Sequence, residues 1–129
     1  MNLLLDTHAL LWFLGDDPRL QPATLKLLAD PLNDVFVSAA SAWEITIKAK
    51  LGKLPVPANI AEWLPAQLVT NRMTPLPITI AHAASIEHLP AHHADPFDRL
   101  LIAQALAENL TLVTSDRQFE RYEVRLIGC

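Results

Sequence analysis

The chain is poor in cysteine, with Cys129 alone among 129 residues. A single thiol closes no internal disulfide and builds no thiolate metal site, so zinc ribbons and small disulfide-stapled scaffolds are excluded and a reducing compartment fits. Glycine is scarce as well, at 3 residues without periodic spacing, which excludes a collagen-like chain. Residues 1–14 are apolar, but they lack a basic flank and are interrupted by Asp6. Neither a signal peptide nor a membrane span is expected there, and the protein reads as cytoplasmic. Positive charge is also short, with 10 Lys and Arg against 14 Asp and Glu and a net charge of −4. Proteins that hold nucleic acid by broad phosphate neutralisation are basic. Any nucleic-acid role must be local here, through a basic rim or through metal ions that invert the sign of an acidic pocket.

What is abundant is apolar residue. At 51% hydrophobic and 19% charged, the composition fits neither disorder nor coiled coil, and a globular protein is expected. A chain of this length buries roughly two thirds of its unfolded surface, enough for one core. Residues 1–129 are therefore read as a single domain. Residues 2–5, 35–37 and 110–114 read as strands, with weaker signals at 76–78 and 124–127. Helical patterns lie at 9–14, 22–30, 38–51, 59–68, 80–89 and 96–108, with Pro22 and Pro96 at first-turn positions and Gly52 and Asn109 as stops. Short apolar strands alternating with helices make βαβ units, and hence an α/β fold whose parallel sheet is covered on both faces. In such sheets the ligand crevice lies beyond the carboxyl ends of the strands, where strand order reverses.

Four acids fall in that kind of position: Asp6 after the first strand, Glu44 in the first turns after the second, Asp98 opening the long helix and Asp116 after residues 110–114. Each also has a local explanation. Asp6 and Asp116 suit helix or turn caps, Ser41 and Glu44 have capping-box spacing, and Glu44 with Lys48 forms a favourable i,i+4 pair. Asp95 suits an N-cap before Pro96, leaving Asp98 in a first turn where the helix dipole welcomes an anion. Caps alone do not require a shared crevice, and a parallel sheet supplies one. Carboxylates about 4 Å apart repel by roughly 4 kcal/mol per pair at an effective dielectric near 20. Such a cluster takes up protons or holds divalent cations. All-oxygen donors without cysteine select hard ions, Mg²⁺ first and Mn²⁺ next, and carboxylate-held Mg²⁺ suits phosphodiester hydrolysis.

Three blocks carry a resemblance to a known family: LLLDTHALLWFL at residues 3–14, SAASAWEITIKAKLGKL at 38–54 and HHADPFDRLLIAQALAENLTLVTSDRQF at 92–119. In order and spacing they resemble the PIN-domain ribonucleases of bacterial VapBC toxin–antitoxin pairs, specifically the toxin, across residues 1–127. The resemblance implies a three-layer α/β/α domain with a short, mainly parallel central sheet. It further implies a Mg²⁺- or Mn²⁺-dependent endoribonuclease, a homodimer and inhibition by a cognate antitoxin. Asp6, Glu44, Asp98 and Asp116 match the family's acidic positions. Asp95 lies beside them and matches a cap equally well, and Thr7 and Thr114 match hydroxyls that accompany the acids. In the scheme that follows, Asp6, Asp98 and Asp116 hold the cation, Glu44 ligates it or orients the attacking water, and the product carries a 5′-phosphate.

Arg99, Arg117 and Arg121, with Lys48, Lys50 and Lys53, are expected as a basic rim for RNA phosphates, although Arg99 also suits pairing with a site acid. The five histidines have no zinc-motif spacing, and His92 with His93 reads as part of a solvent-facing or structural loop, while His8 neighbours Asp6. Trp12, Trp43 and Trp63 are expected in core or interface packing. Residues 100–107 are apolar nearly all round, which fits either burial between layers or contact with a second copy. Two alternatives stay in view: a receiver-like Mg²⁺-binding regulatory module, although a lone Asp6 followed by Thr7 lacks the acid doublet of that scheme, and a PIN-type nuclease acting on DNA.

Overall fold

The computed structural model describes residues 1–129. Its strands are β1 (Asn2–Leu5), β2 (Asp34–Ser38), β3 (Met73–Leu76), β4 (Thr111–Thr114) and β5 (Leu126–Gly128). The helices are α1 (Thr7–Leu14), α2 (Pro22–Ala29), α3 (Ala39–Lys50), α4 (Ile60–Thr70), α5 (Ile80–Ser85) and α6 (Pro96–Glu108). The strands form one sheet in the order β3-β2-β1-β4-β5, and every pairing is parallel. Central β1 sets Leu3 between Val35 and Thr111, and Leu5 between Val37 and Val113.

The pleat sends alternate residues to two cores. Leu3, Leu5, Val35, Val37 and Val113 face one side and pack with Ala9 and Leu10 of α1, Leu28 of α2 and Leu64 and Leu68 of α4. Leu4 and Leu112 face the other, against Leu101, Ile102 and Ala105 of α6 and against Phe119 and Tyr122. Because both faces are covered, β1 reads as a continuous apolar run rather than an alternating one. The architecture is the expected α/β/α sandwich. No helix is long and apolar enough to cross a membrane.

The chain builds outward from β1 through β2 to β3 and then returns to β4 and β5 on the other side, so strand order reverses between β1 and β4. Asp6 follows β1 and Thr114 ends β4, which brings both to that reversal. The same order, 3-2-1-4-5, departs from the 2-1-3-4-5 arrangement of receiver folds, and the receiver-like alternative fails on topology. Most boundaries shift by a residue or two, and three differences change the place or type of an element. The strand expected at 76–78 is β3, with Pro75 inside it, tolerated because an edge strand needs only one side of its ladder. The helix expected at 80–89 is α-helical only to Ser85 and continues as a 3-10 turn over Ile86–His88. The last strand is Leu126–Gly128 rather than 124–127.

Candidate active site

The caps expected at Asp6, Asp95 and Asp116 exist, and each is also a member of one network. Asp6 is the N-cap of α1: its Oδ1 accepts the Ala9 N–H at 2.7 Å, while Oδ2 accepts the Thr114 hydroxyl at 2.5 Å. Only 3% of Asp6 is exposed. Burial pushes its carboxyl above the usual range, the bonds from Thr114 and Ala9 pull it back, and the charge of Asp116 adds to the rise. The Thr114 hydroxyl in turn accepts the Asp116 N–H at 3.0 Å, so a single side chain ties the ends of β1 and β4 together. Asp116 also caps the 3-10 turn Arg117–Arg121 through Gln118 N–H at 2.9 Å.

Glu44 lies on the buried face of α3. Its Oε1 accepts the Thr7 hydroxyl at 2.6 Å and its Oε2 meets Lys48 Nζ at 2.5 Å, so Thr7 and the predicted i,i+4 pair aim the carboxylate together. That hydrogen bond holds the Lys48 proton and raises its pKa. Ser41 is not the cap its spacing suggests. It lies inside α3 with Oγ 3.0 Å from Thr7 Oγ1, and the cap is Ser38, which accepts Ala40 N–H at 2.9 Å and donates to buried Gln104 Oε1 at 2.5 Å.

Asp98 follows no strand, contrary to the simplest reading of the crevice rule. It arrives on the first turn of α6, which Asp95 caps by accepting the N–H groups of Phe97 at 2.8 Å and Asp98 at 3.2 Å. The Asp98 carboxyl is pushed up to about 7, first by burial and then by the charge of Asp95, with Glu44 and Asp6 adding to the rise and His93 opposing it.

The residue that sequence reasoning missed is His93. Expected in a structural or solvent-facing loop, it is buried, with Nε2 at 3.0 Å from Asp98 Oδ2 and 3.2 Å from Asp116 Oδ2. The imidazole nitrogen and one oxygen of each acid lie within 4.8 Å of one another. The signal in the sequence was a histidine two positions before a helix-capping aspartate.

Arg99 is not part of the exposed rim. Its Nη1 donates to the carbonyls of Pro90 at 2.9 Å and His93 at 3.4 Å, so it braces the loop that carries His93. Arg117 is exposed next to Asp116 and borders a polar recess of about 310 Å³ lined also by Thr114 and Ser115. His8 points to solvent and meets Trp12 edge-on at 6.4 Å. Trp43, expected in packing, is 60% exposed and touches Phe97 edge-on at 5.2 Å. The apolar circumference of residues 100–107 is mostly consumed internally, with Leu101 to Ala105 buried and Leu106 open.

Asp98 and Asp116 with His93 form the cluster that could hold a divalent cation, and Asp6 and Glu44 stand outside that cluster. Asp6, Glu44, Asp98 and Asp116 present oxygens, Asp95 adds a fifth negative charge nearby, and Lys48 is the one cation paired with them. The rise of Asp98 toward neutrality registers burial first and the neighbouring negative charge second, and a divalent ion there would offset both without adding a proton.

A family model described as PIN domain matches residues 3–124. Among curated proteins, Ribonuclease VapC22 of Mycobacterium tuberculosis is 28% identical over 122 residues, covering 94% of this chain and 92% of that protein. Ribonuclease VapC16 of the same organism is 41% identical over 61 residues, 47% of this chain and 43% of that protein. Among solved structures, VapBC2 from Rickettsia felis bound to a promoter DNA fragment aligns with a TM-score of 0.74 at 21% identity, covering 99% of this chain and 98% of that one. DNA-bound VapBC from Salmonella typhimurium aligns with a TM-score of 0.72 at 19% identity, with the same coverage. At those identities the likeness is one of fold.

Proposed function

The chain belongs to the PIN domain family, and on that premise we propose that it is a metal-dependent endoribonuclease, the toxin of a VapBC-type toxin–antitoxin pair. The observation that carries this reading is the linked carboxylate network, in which Thr114 joins Asp6 to Asp116, His93 joins Asp116 to Asp98, and the Asp98 carboxyl is pushed up to about 7. Burial and mutual repulsion both disfavour the charged acids, and Mg²⁺, or Mn²⁺ in its place, would offset both.

Asp6, Asp98 and Asp116 are assigned as the oxygen ligands. A divalent cation supplies there charge neutralisation, a water of lowered pKa and stabilisation of the leaving oxygen. Glu44, aimed by Thr7 and Lys48, orients the attacking water and takes its proton. The water oxygen forms the new bond to phosphorus, the 3′-oxygen leaves and takes a proton from solvent, and the product carries a 5′-phosphate. Arg117 and the recess beside Asp116 are assigned to the substrate phosphate, Lys48 to the rim next to the scissile bond, and Arg99 to holding the loop.

An antitoxin partner is assigned to a separate surface. An apolar groove of about 1030 Å³ runs between α3 and α4, lined by Ala42, Ala49, Val56, Leu64 and Leu68 among others. None of the acids lines it. Its apolar walls suit an amphipathic helix, and the Rickettsia and Salmonella structures are of VapBC assemblies. A homodimer is proposed as the unit that meets the antitoxin, with open Leu106 on α6 available to a second copy.

Incubation of the purified chain with labelled single-stranded RNA and single-stranded DNA, in Mg²⁺, Mn²⁺ or EDTA, tests the reading. RNA should be cut only with a cation present and with 5′-phosphate ends, and Asp6→Asn and Asp98→Asn should leave it intact. Cleavage persisting in EDTA sinks the scheme; preference for DNA transfers it to another substrate.

A further inference from the structure

Among the side chains around the acids, His93 is gripped on every side. Its N–H donates to the Tyr122 hydroxyl oxygen at 2.9 Å, its carbonyl accepts Arg99 Nη1 at 3.4 Å, and its ring lies edge-on to Phe119 at 5.7 Å. Ring Nδ1 accepts the backbone N–H of Asp95 at 3.2 Å. A backbone amide only donates, so Nδ1 presents a lone pair and the proton of the imidazole sits on Nε2. That nitrogen makes its hydrogen bond to Asp116 Oδ2 at 3.2 Å and stands in ion-pair contact with Asp98 Oδ2 at 3.0 Å. A ring nitrogen that carries a proton between two carboxylates has no lone pair left for a metal ion.

We propose that His93 is a positioning residue rather than a metal ligand: its Nε2–H, fixed by the Asp95 amide on the far side of the ring, bridges Asp98 and Asp116 and holds their remaining oxygens at one spacing for a divalent cation. The inference deepens the nuclease reading and rests on it for the identity of the ligands. Two elements distant in the chain meet at that nitrogen, α6 through Asp98 and the turn after β4 through Asp116. Without the bridge, nothing else in the network links those two carboxylates to each other. The bridge also keeps the cation's ligands all oxygen, which favours Mg²⁺ and Mn²⁺ over ions that seek imidazole.

Two measurements test this without any RNA. Long-range ¹H–¹⁵N spectra of histidine-labelled protein should place the His93 proton on Nε2 both before and after Mg²⁺ is added; a proton on Nδ1, or an Nε2 resonance displaced as a ligand when Mg²⁺ binds, overturns the proposal. Calorimetric titration with Mg²⁺ should show His93→Leu weakened by about 10- to 100-fold, the usual range for a group that orients a metal ligand. His93→Gln, whose amide reaches close to the place of Nε2, should recover most of that loss, and His93→Asn should not. A glutamine variant no better than leucine, or a leucine variant with unchanged affinity, counts against the bridge. Neither readout depends on cleavage, so a chain that binds Mg²⁺ as described but cuts no RNA would defeat the functional reading and leave the role of His93 intact.

Discussion

At Asp98 the folded protein keeps a proton that the unfolded chain releases. The ordinary carboxyl value of 3.8 rises to about 7 in the folded state, so between those two pH values the native form binds more protons and stability falls as pH increases. In cation-free buffer the melting temperature should therefore drop from pH 5 to pH 8. Asp98→Asn should flatten that slope and stabilise the chain at pH 8 by on the order of 2 kcal/mol, with solvent screening of the part-exposed carboxyl taken into account. Mg²⁺ should restore the wild type at pH 8 and leave the variant unmoved. Scanning calorimetry decides the matter, and parallel slopes in wild type and variant would show that the carboxyl is not under charge stress. Asp6, Glu44 and Asp116 were legible because each is a polar residue set directly beyond or beside an apolar strand or on a helix that follows one. His93 was not, since its environment comes from Phe119, Tyr122 and the acids, and no periodicity reports where the 89–95 loop folds back.

Helix ends carry more of this site than the strands do. Asp95 caps α6 and also raises Asp98 through its charge, and two substitutions separate those roles. Asp95→Ala should lose about 1 kcal/mol with the cap, whereas Asp95→Asn keeps a capping oxygen and should lose less. Both should lower the Asp98 pKa, visible as a shift in the carboxyl ¹³C titration by NMR; no shift in either would place Asp95 too far away to matter. The other end of α6 stops at Asn109, whose φ of 56° is left-handed and whose carbonyl and Oδ1 both accept Arg125 Nη2. Asn109→Gly should fold with little change, while Asn109→Val should cost about 1–2 kcal/mol in urea melts, because a β-branched residue strains that conformation. The extent of α6 was readable from Pro96 and Asn109. β3 was misplaced by three residues because Pro75 looks like a breaker and only its edge position makes it admissible.

On the scale of the molecule, short continuous apolar runs such as residues 2–5, alternating with helices, made the layered fold legible, but the point of strand reversal was not, because local pattern says nothing about which strands become neighbours. That point decides the chemistry, since it places Asp6 beside Thr114. It leaves the acids on one part of the surface and the apolar groove between α3 and α4 on another, with no residue in common. On the proposed reading, blocking the groove should therefore release the chain from an antitoxin without touching cleavage. Ala61 is exposed at the groove's rim on α4, so Ala61→Trp fills the path of an incoming helix while leaving the two cores as they are. The variant should cut RNA at the wild-type rate and melt at the same temperature, yet bind the antitoxin at least about tenfold more weakly, the equivalent of roughly 1.4 kcal/mol. In cells that co-express the antitoxin, growth arrest should return. An Ala61→Trp chain still neutralised with unchanged affinity would mean that the antitoxin acts elsewhere, and occlusion of the acids themselves would be the next place to look.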